Sequence, residues 1–145
     1  MALIPQLPEP HQLATIFSQA LAPAFLLGAI SILTSGLSTR LLGVTDRLRV
    51  LNEIPDGDSV RSKLKADIPL LKFRATLLKK AAFMTLTAGV IMMLLLVIWV
   101  VSAFIGLQHI YGGGILFMLA CLLLGLSLVN FAREVRISLV EFDNI

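Results

Sequence analysis

Three long stretches of this chain, residues 10–39, 81–107 and 110–132, contain no Asp, Glu, Lys or Arg at all. A bilayer hydrocarbon core of roughly 30 Å is crossed by about 20 apolar residues of helix, so each stretch is long enough to span one. The second is the most apolar, with residues 90–101 an unbroken run of Val, Ile, Met, Leu and Trp. The first is less so, because Ser18, Gln19, Pro23, Ser31, Thr34, Ser35, Ser38 and Thr39 interrupt it. With 57% hydrophobic residues, 14% charged ones and a mean hydropathy of +0.92, the chain falls well short of the about 25% charged residues usual in soluble domains. The expected class is an all-α integral membrane protein with three transmembrane helices.

Charge then orients it. Of 12 Lys and Arg residues, ten lie between Arg40 and Lys80, and the other two, Arg133 and Arg136, follow the third stretch. Basic residues near span ends mark the cytoplasmic side. Three spans with that bias put residues 1–12 and the turn at 108–111 outside and the C-terminus inside. Eight of the nine acidic residues also fall inside, leaving a small positive excess there that favours contact with anionic lipid headgroups. The formal charge of +3 does not point to nucleic acid, since the cations flank apolar runs and carry no RNA-binding motif. A lone Cys121 excludes a disulfide framework or a paired-cysteine zinc site.

The chain is expected to divide into an outside arm (1–12), an interfacial helix plus the first span (13–39), a cytoplasmic helical hairpin (40–80), the second span (81–107), a turn plus the third span (108–132), and a cytoplasmic amphipathic tail (133–145). The start, Met1-Ala2-Leu3-Ile4-Pro5, lacks the positive region of a cleavable signal peptide. Pro23 either kinks one long helix or opens the spanning helix after an interfacial one, the second being preferred. Leu37, Leu41, Val44, Leu48 and Leu51 form a heptad seam, and Leu64, Ile68, Leu71, Ala75, Leu78 and Ala82 a second. Pro55-Asp56-Gly57-Asp58-Ser59 turns between them, giving an antiparallel coiled-coil hairpin. Asp67 and Pro69 signal a break in the returning arm near Ala66. Phe131, Val135, Leu139 and Phe142 form a stripe expected to complete a three-helix cytoplasmic bundle.

Ala22-Pro23-Ala24-Phe25-Leu26-Leu27, Leu37-Ser38-Thr39-Arg40-Leu41, Val44-Thr45-Asp46-Arg47-Leu48-Arg49-Val50-Leu51 and Arg74-Ala75-Thr76-Leu77-Leu78 together resemble an uncharacterised bacterial inner-membrane family, domain of unknown function 2721. The resemblance covers nearly the whole chain and implies a multi-pass protein of the bacterial inner (cytoplasmic) membrane, but no activity. The layout is also similar to that of proton-motor proteins of the ExbB and TolQ type. Those motors carry a pore carboxylate, which no span here supplies.

Three groups of residues are candidate sites. Ala24, Gly28, Ser31, Ser35 and Ser38 form a small, hydroxyl-bearing stripe on the first span. Such a stripe serves close helix packing or, around a symmetry axis, lines a permeation path. Arg40, Asp46, Arg47, Arg49 and Glu53 form a charge network, with Arg49 and Glu53 spaced as a helical ion pair. Lys79, Lys80 and Arg133 are placed to reach lipid headgroups, with Lys72 and Arg74 extending that surface. His11 and His109 lack metal-ligand spacing, Gly112-Gly113-Gly114 lacks the Lys of a phosphate loop, and Cys121 with Gly125 reads as a packing pair. Asn130 reads as an interhelical hydrogen bond.

No nucleophile with a base, carboxylate pair or cofactor loop occurs, so no enzyme and no cofactor is expected. Two functions are left. One is a homo-oligomeric, ion-conducting or transport pore lined by the first span, a pentamer being one candidate. The other is a non-conducting scaffold or regulatory protein whose hairpin binds a partner.

Overall fold

Long helices follow from charge-free apolar runs flanked by good helix formers, because backbone groups in hydrocarbon must be paired within their own segment. A computed structural model describes residues 9–57, 61–105 and 110–143. It contains α1 (Pro10–Asn52), a 3-10 turn (Ser62–Asp67), α2 (Ile68–Ile105) and α3 (Ile110–Asp143). The described residues hold no strand, and three helices are long and apolar enough to cross a membrane. At 43 residues, α1 is about 65 Å long, roughly twice the hydrocarbon thickness. Each helix therefore runs well past its charge-free part.

Two boundaries differ from the sequence expectation. Helix α1 begins at Pro10, inside the expected arm, where Glu9 and Gln12 form a reciprocal capping box and Pro10 occupies the first turn. It then continues unbroken through Pro23, so there is one helix where an interfacial helix and a separate span were preferred. Pro23 is fully buried, and burying the ring offsets the cost of the backbone hydrogen bond it removes. The break in the returning arm does occur, with the 3-10 turn ending at Asp67 and Pro69 in the first turn of α2. The 1–8 part of the arm, the turn residues 108–109, and Asp58 and Ser59 lie outside the described residues.

Helix α2 is the spine. It packs along both neighbours, whereas α1 and α3 barely meet. The α1 face against it is a strict heptad, Pro23, Ile30, Leu37, Val44 and Leu51. At the ends of the charge-free stretches and beyond them, Leu37, Val44 and Leu51 interleave with Leu71, Ala75, Leu78 and Ala81, with Leu41, Leu48, Ile68, Ala82 and Phe131 packed around them. Leu64 stays half exposed. Within the apolar part, Ile30 meets Ala88, Met92, Leu95 and Ala120.

The α3 face against α2 is also a heptad: Gly113, Ala120, Ser127 and Glu134 are its buried residues. Small residues let helix backbones approach closely where lipid supplies no hydrophobic drive between them. Ser127 Oγ donates to Ala81 O at 2.8 Å, so Thr85 Oγ1 is the donor in its 2.6 Å bond to Ser127. Asn130 Nδ2 reaches Met84 Sδ at 3.6 Å. The Cys121 and Gly125 pair is not the seam, since Gly125 is exposed and a Cβ there would meet nothing within 4 Å. Of the expected stripe of Phe131, Val135, Leu139 and Phe142, Phe131 packs against the core and Val135 is half-buried, but Leu139 is 61% exposed, and the Phe142 side chain lies outside the described residues. The heptad phase set by Gly113, Ala120 and Ser127 turns Glu134 inward instead.

Gly113 marks a close approach of α2 and α3, for a Cβ there would lie 2.9 Å from Trp99 Nε1. Gly113→Ala is expected to displace the indole and cost about 1–3 kcal/mol of stability. Trp99 is the single tryptophan, so intrinsic fluorescence in detergent reports the change directly. Gly125→Ala is expected to leave both emission and thermal unfolding unaltered.

Candidate functional site, a buried carboxylate between two arginines

The apolar stretches of α1 and α3 end at Thr39 and Ala132, and charges just beyond them are brought together. Glu134 is fully buried, which a carboxylate tolerates only when it is paired and hydrogen-bonded. Arg40 Nη1 donates to its Oε2 at 3.0 Å, while Arg74 Nε and Nη2 donate to Oε1 at 3.1 and 2.9 Å. All three helices thereby meet on one side chain. The Arg40 guanidinium also lies 5.4 Å from the Phe131 ring centroid, a cation–π distance.

Seven residues further along both α1 and α3, the arrangement repeats in looser form. Glu141 accepts from Arg74 Nη1 at 2.7 Å and lies 3.8 Å from Arg47, which is itself 3.9 Å from Asp67. The two rungs, Arg40 with Glu134 and Arg47 with Glu141, share a heptad step on parallel helices, a rise of about 10.5 Å. Arg74, only 11% exposed, joins them. The Arg47 contacts are long and half exposed, and such pairs contribute little to stability. The Glu134 rung is the strong one.

Of the charge network read from sequence, Arg40 and Arg47 take part. Asp46, Arg49 and Glu53 are exposed and form no ion pair among the described residues. Arg49 and Glu53 sit at the end of α1, where only the Glu53 N–H bonds back to Arg49 O. Sequence reasoning missed Glu134, Glu141 and Asp67 as partners, and assigned Arg74 to the lipid surface. The available signal was the matching heptad step of Arg40 and Arg47 with Glu134 and Glu141.

Lys79, Lys80 and Arg133 are exposed close to the ends of the apolar stretches. Ala24, Gly28, Ser31, Ser35 and Ser38 are all exposed too, off the face that α1 gives to α2. Ser31 Oγ donates to Leu27 O at 3.0 Å, whereas the Ser35 and Ser38 hydroxyls make no hydrogen bond among the described residues. At the far turn, Lys65 hydrogen-bonds Asp56 and holds its carboxyl below the usual 3.8. His11 is exposed at the start of α1, and His109 lies outside the described residues. No cluster of three His, Cys, Asp or Glu side chains placed to hold a metal occurs among the described residues.

Fold and charge placement together define a multi-pass membrane protein of three long helices with an ionic knot at one end of its apolar belt. The chain belongs to the family described as Protein of unknown function (DUF2721), whose model matches residues 20–143. No curated protein and no solved structure matches it.

Glu134→Ala is expected to cost about 3–5 kcal/mol, because it leaves Arg74 Nε and Nη2 without their acceptor in a nearly buried site, with only the Nη1 bond to Glu141 remaining. Asp46→Asn and Glu53→Gln, at exposed unpaired sites, are expected to stay within about 0.5 kcal/mol of the parent. Denaturant unfolding in mixed micelles followed by circular dichroism makes the comparison. Equal effects at all three positions would refute a special role for Glu134.

Proposed function

We propose that the protein works as a homo-oligomer in the bacterial inner membrane, with the small, hydroxyl-bearing face of α1 turned to an axis where it lines an ion-conducting or transport path. A pentamer is one candidate stoichiometry. The observation that carries this reading is the position of Ser35 and Ser38, exposed on the single chain at the inner end of the span with hydroxyls that have no partner among the described residues. A hydroxyl facing hydrocarbon without a partner costs about 1–3 kcal/mol, a cost removed if that face meets water or another helix. One chain of three helices is too thin to enclose a path by itself, so the ring has to come from copies. Uncharged hydroxyls replace part of an ion's hydration in such a lining.

A second reading is favoured by Ser31 and Thr34, whose hydroxyls are already satisfied by Leu27 O and Ile30 O. Self-satisfied hydroxyls tolerate lipid or a helix contact, as in a non-conducting scaffold whose polar hairpin, residues 40–80, holds a partner. Orientation in both readings follows the basic residues, with the N-terminus outside and the Arg40, Arg74 and Glu134 end in the cytoplasm. No catalytic or cofactor role enters either reading.

Native mass spectrometry of the purified protein is expected to give a single closed oligomer, and liposomes containing it to pass ions. A strict monomer would sink the pore reading, and an oligomer without flux would leave the scaffold. Ser35→Leu is expected to abolish flux while the oligomer persists. For orientation, a tag fused at Met1 is expected to be labelled from outside intact cells; labelling only after the membrane is opened would overturn the topology.

A further inference from the structure

Beyond the Glu134 knot, the start of α2, the 3-10 turn and the end of α3 enclose an open groove of about 820 Å³. Its apolar lining is Leu64, Leu70, Ile137 and Val140, and its wall also carries Arg47, Asp67 and Glu141. Those three neutralise one another in part, since Arg47 lies within 4 Å of both carboxylates and Arg74 bonds Glu141. Two further arginines, Arg133 and Arg136, line the same groove. Both are exposed, and neither has an ion-pair or hydrogen-bond partner among the described residues. One turn apart on α3, they present two guanidiniums to a single ligand.

We infer that this groove is a binding site for the phosphate headgroup of an anionic phospholipid, held by Arg133 and Arg136. Two features of the groove select a lipid. The first is depth: Arg133 directly follows Ala132, the last residue of the charge-free stretch, and Arg136 is about 4.5 Å further along the helix. A headgroup layer is roughly 5–7 Å thick on each face of the bilayer, so both residues leave the helix at the depth of that layer. The second is charge: with the wall already paired, the uncompensated charge in the groove is that of these two arginines. Guanidinium forks match phosphate oxygens better than a lysine does, and basic pockets between membrane helices hold such headgroups. Lys79 and Lys80, by contrast, are exposed on α2 and line no part of the groove. The inference rests on the three stretches spanning a bilayer and is independent of whether the protein conducts.

Full-length protein is delipidated in detergent, and retention of added phosphatidylglycerol and of phosphatidylcholine is compared by native mass spectrometry. Phosphatidylglycerol is expected to be retained and phosphatidylcholine to be lost at lower collision energy. At about 1 kcal/mol per basic side chain, Arg133→Gln or Arg136→Gln is expected to weaken retention about fivefold and the double variant about thirtyfold. Lys63→Gln, an exposed cation outside the groove, is expected to change nothing. Circular dichroism and size-exclusion profiles like the parent's confirm that the variants fold. Equal retention of the two lipids, or unchanged retention in the double variant, overturns the proposal. So does displacement of the lipid by millimolar inorganic phosphate, which would mark a free-anion site, or preference for an acidic helical peptide over lipid. A monomer in the same spectra that still binds phosphatidylglycerol through Arg133 and Arg136 would remove the pore reading and leave this site standing.

Discussion

The carboxylate of Glu134 is held by guanidiniums from two other helices, and that contact sets how the three rods stand relative to one another. Apolar helices in lipid gain little by sliding up or down, because each position exchanges one greasy contact for another. A fully buried carboxylate has no such freedom. Moving α3 by one turn along α2 would break the paired bonds from Arg74 to Glu134 and strain those from Arg40 to Glu134 and from Arg74 to Glu141, a change that costs several kcal/mol when a buried charge loses its partner. The knot contributes little net stability compared with a well-packed apolar substitute; its consequence is axial register. One heptad away, the bond from Arg74 to Glu141 adds to the same constraint.

With register set, the remaining packing is simple and thin. One spine helix, α2, carries α1 on a heptad of medium and large residues and α3 on a heptad of small ones. The α3 seam is closest at Gly113, where a Cβ would lie 2.9 Å from Trp99 Nε1, and on the α1 seam a Cβ at Gly89 would lie 3.3 Å from the Ile30 side chain. A three-helix layer leaves most of its large apolar side chains exposed, which in a membrane is contact with lipid or with other copies. The polar ends of the same helices, past Thr39 and Ala132, carry the ionic knot, the groove and the unpaired cations. Chemistry and packing are thus separated along the helix axis.

Much of this was legible in residue order. Thirty positions without charge at 10–39 cannot be read as a soluble helix, and the heptad seam of residues 37–51 packs against that of residues 64–82 at every member but the half-exposed Leu64. Asp67 with Pro69 marks the start of α2 because proline fits only the first turn of a helix without cost. What residue order hid has a common cause. In α3 almost every face is apolar, so periodicity does not distinguish the stripe through Phe131 and Leu139 from the one through Ser127 and Glu134. Local spacing likewise made Arg49 and Glu53 look like a pair, while the partners of Arg40 and Arg74 lie 94 and 60 residues away.

The sequence by itself determined how many stretches are able to cross a bilayer, where each one stops, and which ends of them collect the basic residues. These depend on the cost of placing charge in hydrocarbon, a one-dimensional rule that needs no knowledge of neighbours. Only the tertiary structure decided that Glu134 is interior, that α2 is the spine, and that Arg133 and Arg136 are left over beside a groove. Those outcomes depend on which faces of nearly uniform apolar helices are pressed together, and that choice is made by close approach at small residues and by distant charges that must meet.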